Sequence, residues 1–294
     1  MGDLKKHQSP MTIDEQIANL KNIGLIVSDE AYARKILNDI SYFRLIKAYS
    51  LNLKQKNGCY NADTTFEEIV SLYLFNANFR QLVFPQIEKV EINVRCRVSN
   101  YFAEKYGALG YLQCENFADD IYHSEFLNDM RLEIGRNSKS PFVRNFREHY
   151  EGGKLPIYAI VELFSFGTLS KFYKNMINKD KKAVAKTFGV GYTYFESWLE
   201  SIAYVRNICA HYGRLYNAKL TKTPILYKEY TQSGISNNRI YGVLLCLKHL
   251  LITDAHWKAF VDDIELLFDK YECVNIVTMG FPDNWKRLLL ESDM

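Results

Sequence analysis

The sequence has few turn-forming residues and no clustered metal ligands. Only 6 Pro and 15 Gly occur among its 294 residues, which argues against sandwiches and propellers because these folds need many turns. Its six cysteines form no C-x-x-C pair, so neither a zinc knuckle nor a thioredoxin-like redox site is indicated. We therefore predict no metal and no other cofactor, and we expect reduced, mostly buried thiols.

Long apolar segments are also missing. The first ten residues, MGDLKKHQSP, are polar and no apolar segment follows them, so no secretion signal is predicted. The most apolar stretch, Ile240 to Thr253, is interrupted by Lys248 and His249 and is too short to cross a bilayer. We expect a soluble, cytoplasmic protein without a membrane partner.

Aromatic residues are abundant, and the charges are distributed unevenly. The 21 Tyr and 18 Phe exclude global disorder. The net charge of +3 does not by itself indicate a nucleic-acid partner, but residues 131–222 carry 16 basic and 7 acidic side chains, which gives +9. The segments before and after, 1–130 and 223–294, each carry −3. The basic segment could attract a polyanion, or it could consist of solvated helix faces.

Helix signals dominate, and no alternating strand pattern of useful length is present. Thr12 to Glu15 and Thr65 to Glu68 both fit the capping-box pattern that begins a helix. The second box starts the longest helical pattern of the chain, which extends to Gly107. Proline lacks a backbone N–H and crowds the preceding turn, so a kink or break is predicted between Gln81 and Pro85.

A further amphipathic helix is predicted from Tyr194 to His211. Apolar residues at helical spacing form one of its sides: Phe195, Trp198, Leu199, Ile202 and Val205. With the other helix signals, this pattern predicts an all-α fold, a helical bundle with additional helices at both ends.

The string YVRNICAHYGRLYN, residues 204–217, carries the most informative polar residues. It places Arg206, Asn207 and His211 at the end of this amphipathic helix, inside the basic segment. Each helical residue advances by about 100°, so Asn207 and His211 share a face, whereas Arg206 and His211 lie about 140° apart. The Arg206 side chain would have to reach around the helix, or the two groups would meet across an interface between two chains.

These residue types suit metal-free RNA cleavage by the neighbouring 2′-hydroxyl. His211 could take a proton from that hydroxyl or give one to a leaving oxygen, and Arg206 offers a planar fork of donors to a phosphate. Asn207 could orient these groups, and Arg214 and Tyr212 could contact the RNA. However, R-x4-H spacing also occurs by chance, and a histidine at a helix end often caps carbonyls instead.

Three charged residues of the long helix are further candidates. Glu88, Glu91 and Arg95 fall at i, i+3 and i+7 and share one face. They could position Arg206 or His211. Alternatively, Glu91 and Arg95 form an i, i+4 pair that stabilises the helix by roughly a few tenths of a kcal/mol.

The string RNICAHYGRLYN resembles the RN-x3-H-x2-RLYN signature of the Abi family (AbiD/AbiF type) of bacterial abortive-infection proteins. This family belongs to the HEPN superfamily, whose active members share an R-x4-6-H ribonuclease motif. Three other blocks resemble segments of the family in the same order: residues 40–53, 72–112 and 155–176.

The resemblance implies a HEPN-like helical bundle that dimerises and brings two R-x4-H motifs into one cleft. Residues 65–220 would form the HEPN-like core, residues 1–64 an N-terminal helical extension, and residues 221–294 C-terminal helices packed on the core in one compact unit. By the same analogy, Arg206 and His211 would be the catalytic pair and Asn207 the polar residue that follows the arginine.

The implied function is phage defence by endoribonucleolytic cleavage of RNA, with RNA and a second copy of the chain as partners. Two alternatives stay open. One is a non-catalytic RNA-binding or scaffold protein that uses the same bundle. The other is a toxin held inactive by an antitoxin protein or a small RNA.

Overall fold

The computed structural model describes residues 9–251 and 253–291, and helices are their only extended regular structure. Three isolated β-bridges occur among these residues, and no strand does. The predicted all-α class is confirmed. Over the same residues, no helix has both the length and the apolarity that a membrane span requires.

The α-helices are, in chain order, α1 (Ile13–Asn22), α2 (Glu30–Asp39), α3 (Phe66–Tyr106), α4 (Asp120–Arg136), α5 (Pro141–His149), α6 (Ile157–Ile160), α7 (Phe166–Asn175), α8 (Asn178–Lys186), α9 (Tyr192–Ala210), α10 (Lys228–Gln232), α11 (Ile240–Leu251), α12 (Trp257–Lys270) and α13 (Trp285–Leu290).

The chain divides into two compact units. The first comprises residues 1–79 and 266–275, and the second comprises residues 80–265 and 276–294. Helices α3 and α12 have residues in both.

In the first unit, α1 and α2 pack against each other. The capping box predicted at Thr12 is confirmed, because its hydroxyl accepts a hydrogen bond from the Glu15 N–H and the Glu15 carboxylate accepts one from the Thr12 N–H. The ring of Phe75 lies 5.7 Å from that of Phe79 and 6.0 Å from that of Phe268, between ring centroids. This aromatic cluster contributes to the core of the unit.

Helix α3 differs from the prediction at Pro85. It continues without a break from Phe66 to Tyr106, with Pro85 inside it, so the prediction of a break is wrong. A proline inside a helix costs about 3 kcal/mol. The neighbouring turns bury Val83, Ile87 and Val90, and this packing offsets the local penalty.

In the second unit, α9 packs against α7, α8 and α11. The observed helix, Tyr192–Ala210, agrees with the predicted one to within two residues. The five apolar residues predicted for its inner side are all buried. This core fixes the axis of α9, and so it fixes the position of the last turn, where the predicted site residues lie.

Candidate active site at the end of helix α9

Helix α9 ends in a tight turn built from the sequence His-Tyr-Gly. His211 is the C-cap, and Tyr212 follows it with φ at +57°. The Gly213 N–H donates to the Ile208 carbonyl at 2.7 Å, and the Tyr212 N–H donates to the Cys209 carbonyl at 3.2 Å. This pair of bonds is the Schellman arrangement, which satisfies the last carbonyls of a helix.

The turn constrains both residues after His211. A Cβ atom on Gly213 would lie 2.8 Å from Ile208 Cγ2 and 3.1 Å from the Ile208 carbonyl oxygen, so a side chain cannot fit there without displacing the helix. Tyr212 occupies the left-handed region, which costs a bulky residue about 1 to 3 kcal/mol. Its side chain is 68% exposed, so the strained turn presents an aromatic ring to solvent beside His211.

Arg80, on α3, donates hydrogen bonds to the backbone of this turn. Its Nη1 donates to the Gly213 carbonyl at 2.9 Å and to the Tyr212 carbonyl at 3.4 Å, and the residue is 8% exposed. A guanidinium at a helix C-terminus also opposes the negative end of the helix dipole. Arg80 is not among the residues predicted for the site, although an arginine within the apolar string LYLFNANFRQLVF is a signal that could have identified it.

A chain of charges on α3 holds Arg206. Arg206 Nε lies 3.5 Å from Glu91 Oε2, and Glu91 Oε1 accepts a hydrogen bond from Arg95 Nη2 at 2.8 Å. Arg95 also donates to the carbonyls of Val161 and Phe164. Both readings of the sequence pattern therefore describe real contacts, since Glu91 pairs with Arg95 and also faces Arg206.

The guanidinium of Arg206 keeps most of its donors unused. Its Nε is buried without a hydrogen bond, and no acceptor among residues 9–251 and 253–291 takes a hydrogen bond from its Nη atoms. Its Cζ lies 5.9 Å from the centroid of the Phe84 ring, and 31% of its side chain is exposed. Arg206 is thus partly fixed by Glu91 and still able to donate to a bound anion.

His211 and Asn207 are both exposed. The His211 backbone N–H caps α9 by donating to the Asn207 carbonyl at 3.0 Å, whereas its ring makes no hydrogen bond within the part of the chain that the structure describes. The ring therefore does not cap the helix. No hydrogen bond joins Arg206 to His211 within the chain, as expected from their separation around the helix.

The other predicted site residues, Glu88 and Arg214, differ in their exposure. Glu88 is exposed and forms no ion pair with another described residue, so the structure does not bring it to Arg206. Arg214 is half-buried directly after the turn.

Burial raises the pKa of the Cys209 thiol, in the last turn of α9, to about 12, which keeps this neighbouring group protonated and unreactive.

No group of three His, Cys, Asp or Glu residues that could hold a metal ion is found in residues 9–251 and 253–291. The ring of His249, in α11, shares a hydrogen bond of 3.1 Å with the Tyr230 hydroxyl.

Comparison with known proteins gives one match. The model of the family described as Abi-like protein matches residues 35–217, whereas no curated protein and no solved structure matches the chain. The matched region is more than half of the chain, and it contains the whole of α3 and α9 and the turn that follows α9. The chain therefore belongs to the Abi-like protein family.

Proposed function

We propose that this protein is a metal-independent endoribonuclease of phage defence whose active site is completed by a second copy of the chain. Membership of the Abi-like family suggests abortive infection, in which an infected bacterial cell halts its own growth. The observation that carries the enzymatic part is the state of Arg206: its guanidinium is positioned by buried Glu91, has unused donors, and precedes an exposed His211 by five residues.

In the proposed reaction the ribose 2′-hydroxyl attacks the adjacent phosphorus. His211 removes the hydroxyl proton as the new P–O bond forms, and the imidazolium returns a proton to the 5′ oxygen as its bond to phosphorus breaks. Arg206 donates to the phosphate oxygens, on which negative charge accumulates in the transition state. Asn207 orients the phosphate. The products are a 2′,3′-cyclic phosphate and a 5′-hydroxyl, and no metal takes part.

The geometry of α9 supports a second copy of the chain at the site. Glu91 holds Arg206 against α3, while His211 lies about 140° further around the helix axis. A symmetric dimer would place His211 of one chain opposite Arg206 of the other, because a two-fold axis repeats every contact in reverse. The basic segment 131–222 would attract the RNA backbone, and Arg214 and Tyr212 would contact the strand near the cleaved phosphate.

The test is cleavage of single-stranded RNA by the purified protein in EDTA. We expect RNA fragments that end in a cyclic phosphate, and we expect His211→Ala to cleave on the order of 10³-fold more slowly, the usual contribution of a general acid–base. His149→Ala is the matched control, because His149 is also an exposed histidine at a helix end. This control should retain wild-type activity.

Two outcomes would overturn the proposal. One is a His211→Ala protein that cleaves as fast as wild type. The other is a wild-type protein that retains RNA without cleaving it under any tested condition, which would favour the non-catalytic RNA-binding function.

A further inference from the structure

A cleft of about 600 Å³ lies in the second unit, beside the predicted catalytic residues. Helix α7 packs against both α4 and α9, and all three helices line the cleft. On α9, the lining residues Glu200, Tyr204 and Asn207 follow at helical spacing on one face. The cleft therefore extends along α9 as far as Asn207, which adjoins Arg206 in the sequence.

Some charged groups of the cleft neutralise one another. Lys181 Nζ lies 2.8 Å from Glu196 Oε2, and Lys222 Nζ lies 2.7 Å from Glu200 Oε1. The hydrogen bond from Lys222 lowers the pKa of Glu200, so this pair stays ionised. Asp119 caps α4 by accepting from the backbone of that helix.

The remaining charged side chains form no hydrogen bond or ion pair with a described residue, although Lys174 is close enough to Glu200 to contribute to its lowered pKa. The two signs lie on different helices. Lys171 and Lys174, on α7, are exposed, and their ammonium groups contact no acceptor among the residues that the structure describes. Glu125 and Asp129, four residues apart on α4, are likewise exposed without a hydrogen-bond or ion-pair partner in that part of the chain. A ligand that fits these groups has an anionic part and a separate part that donates hydrogen bonds.

Two tyrosine rings also line the cleft. Tyr122, on α4, is 61% exposed, and Tyr204, on α9, is half-buried. Exposed aromatic rings in a groove bind unpaired nucleobases by stacking. An ammonium group binds phosphate oxygens, and a carboxylate accepts hydrogen bonds from the exocyclic amino group of a base. A nucleotide combines all three features.

We infer that this cleft is a subsite for an unpaired nucleotide of the RNA, next to the phosphodiester held at Asn207; the inference rests on the proposed function for its choice of RNA. Lys171 and Lys174 bind the phosphate of this nucleotide, and Tyr122 and Tyr204 stack on its base. Glu125 and Asp129 select bases that carry an amino group. The volume lies within the range of about 300 to 1,000 Å³ that is typical of small-ligand sites, the size class to which a single nucleotide belongs.

The first test measures the affinity of full-length protein for fluorescent single-stranded oligocytidine by anisotropy, with His211→Ala in every sample to prevent cleavage. We expect Lys171→Glu plus Lys174→Glu to weaken binding at least about tenfold. The control, Lys179→Glu plus Lys186→Glu, makes the same charge change on exposed residues of α8 that do not line the cleft. It should weaken binding by less than about threefold, through the general electrostatic attraction alone.

The second test compares oligocytidine with oligouridine, whose bases differ at the amino group of cytosine. We expect oligocytidine to bind about fivefold more tightly, and we expect Glu125→Gln plus Asp129→Asn to abolish the difference. Thermal melting of every variant confirms that it is folded. Free cytidine monophosphate serves as a competitor. If it displaces the oligonucleotide at equal concentration, the cleft binds free nucleotides and the assignment to RNA is overturned.

The inference and the proposed function can fail separately. Binding with the expected pattern by a protein that never cleaves RNA would support the cleft and refute the enzyme. If wild type cleaves RNA but the Lys171/Lys174 variant and the Lys179/Lys186 control lose the same affinity for oligocytidine, the enzyme is supported and the cleft is refuted. Absence of RNA binding by the folded protein would also refute the cleft.

Discussion

Two carboxylates of the second unit, Asp180 and Glu91, lie at the centre of polar clusters that differ in how completely they are satisfied. Asp180 is fully buried and accepts hydrogen bonds from the Tyr101 hydroxyl at 2.8 Å, from the Tyr106 hydroxyl at 2.7 Å, and from the Lys105 ammonium. Glu91 is also buried, but among the residues that the structure describes only Arg95 donates to it at hydrogen-bond distance.

The difference separates a stabilising cluster from one that can accept a ligand. Around Asp180 both carboxylate oxygens are used, and buried polar groups that are fully hydrogen-bonded add rigidity to a core. Around Glu91 the second oxygen is 3.5 Å from Arg206 Nε, which has no hydrogen bond. An unpaired buried donor costs about 1 to 3 kcal/mol, and such costs are typical of functional sites. The hydrogen bonds of the first cluster are complete, whereas the second cluster contains a donor, Arg206 Nε, without a hydrogen bond.

The largest expected effect on stability comes from changing the Asp180 cluster. Asp180→Asn removes the charge that faces Lys105, and we expect the free energy of unfolding to fall by about 1.5 to 3 kcal/mol, the range for hydrogen bonds to a charged group. The folded protein should cleave RNA as wild type does. Urea denaturation measures the loss, and Glu151→Gln, at an exposed residue, is the control. If Asp180→Asn loses no more free energy of unfolding than the control, the Asp180 cluster does not stabilise the protein and its contrast with the Glu91 cluster is contradicted.

The same cluster gives a pH dependence. Burial raises the pKa of Asp180, but the hydrogen bonds from Lys105, Tyr106 and Tyr101 outweigh it, and the net pKa is lowered. A lowered pKa in the folded state stabilises the protein fully above the unfolded value, about 4. The contribution is lost as the pH falls from there through the lowered value. Urea denaturation at successive pH values should therefore show the wild-type advantage over Asp180→Asn shrinking below about pH 4.

A smaller effect on stability, with a specific effect on catalysis, comes from changing the Glu91 cluster. Glu91→Gln removes the charge that holds Arg206, and we expect kcat to fall about tenfold to a hundredfold because the guanidinium is less well placed. KM should change little. The free energy of unfolding should fall by less than in Asp180→Asn, because the amide oxygen of glutamine can still accept the hydrogen bond from Arg95. Glu88→Gln is the matched control, since Glu88 lies one turn earlier on the same helix and is exposed. An unchanged kcat in Glu91→Gln would show that Glu91 is structural only.

The sequence predicted the fold correctly where a local pattern agreed with the packing. The apolar period of α9 predicted both the helix and its buried side, because the five apolar residues face the core that the helix needs. At Pro85 the local rule predicts a kink or a break, and the break is absent. Proline breaks an isolated helix, but in α3 the packing of Val83, Ile87 and Val90 outweighs it.

Only part of the candidate site could be predicted from the sequence, because the rest depends on contacts between distant segments. R-x4-H and the Glu91–Arg95 spacing are local patterns on single helices. Arg80 contacts Gly213 across 133 positions of the sequence, and the cleft combines residues of α4, α7 and α9. Contacts of this range depend on the packing of the whole unit, and no periodicity in the sequence records them.

We propose that Arg206 and His211 act on one phosphate, although α9 separates the two side chains within a chain. The most direct measurement mixes Arg206→Ala protein with His211→Ala protein after subunit exchange and assays RNA cleavage in EDTA. Each variant alone should be inactive. The mixture should recover about a quarter of wild-type activity, because half of the dimers are mixed and each mixed dimer has one intact site of two.

The control mixes either variant with the double variant Arg206→Ala plus His211→Ala, which cannot supply both groups to one site and should restore nothing. Recovery in the first mixture and none in the control would support a site shared between two chains. A first mixture as inactive as its components, beside an active wild type, would contradict it.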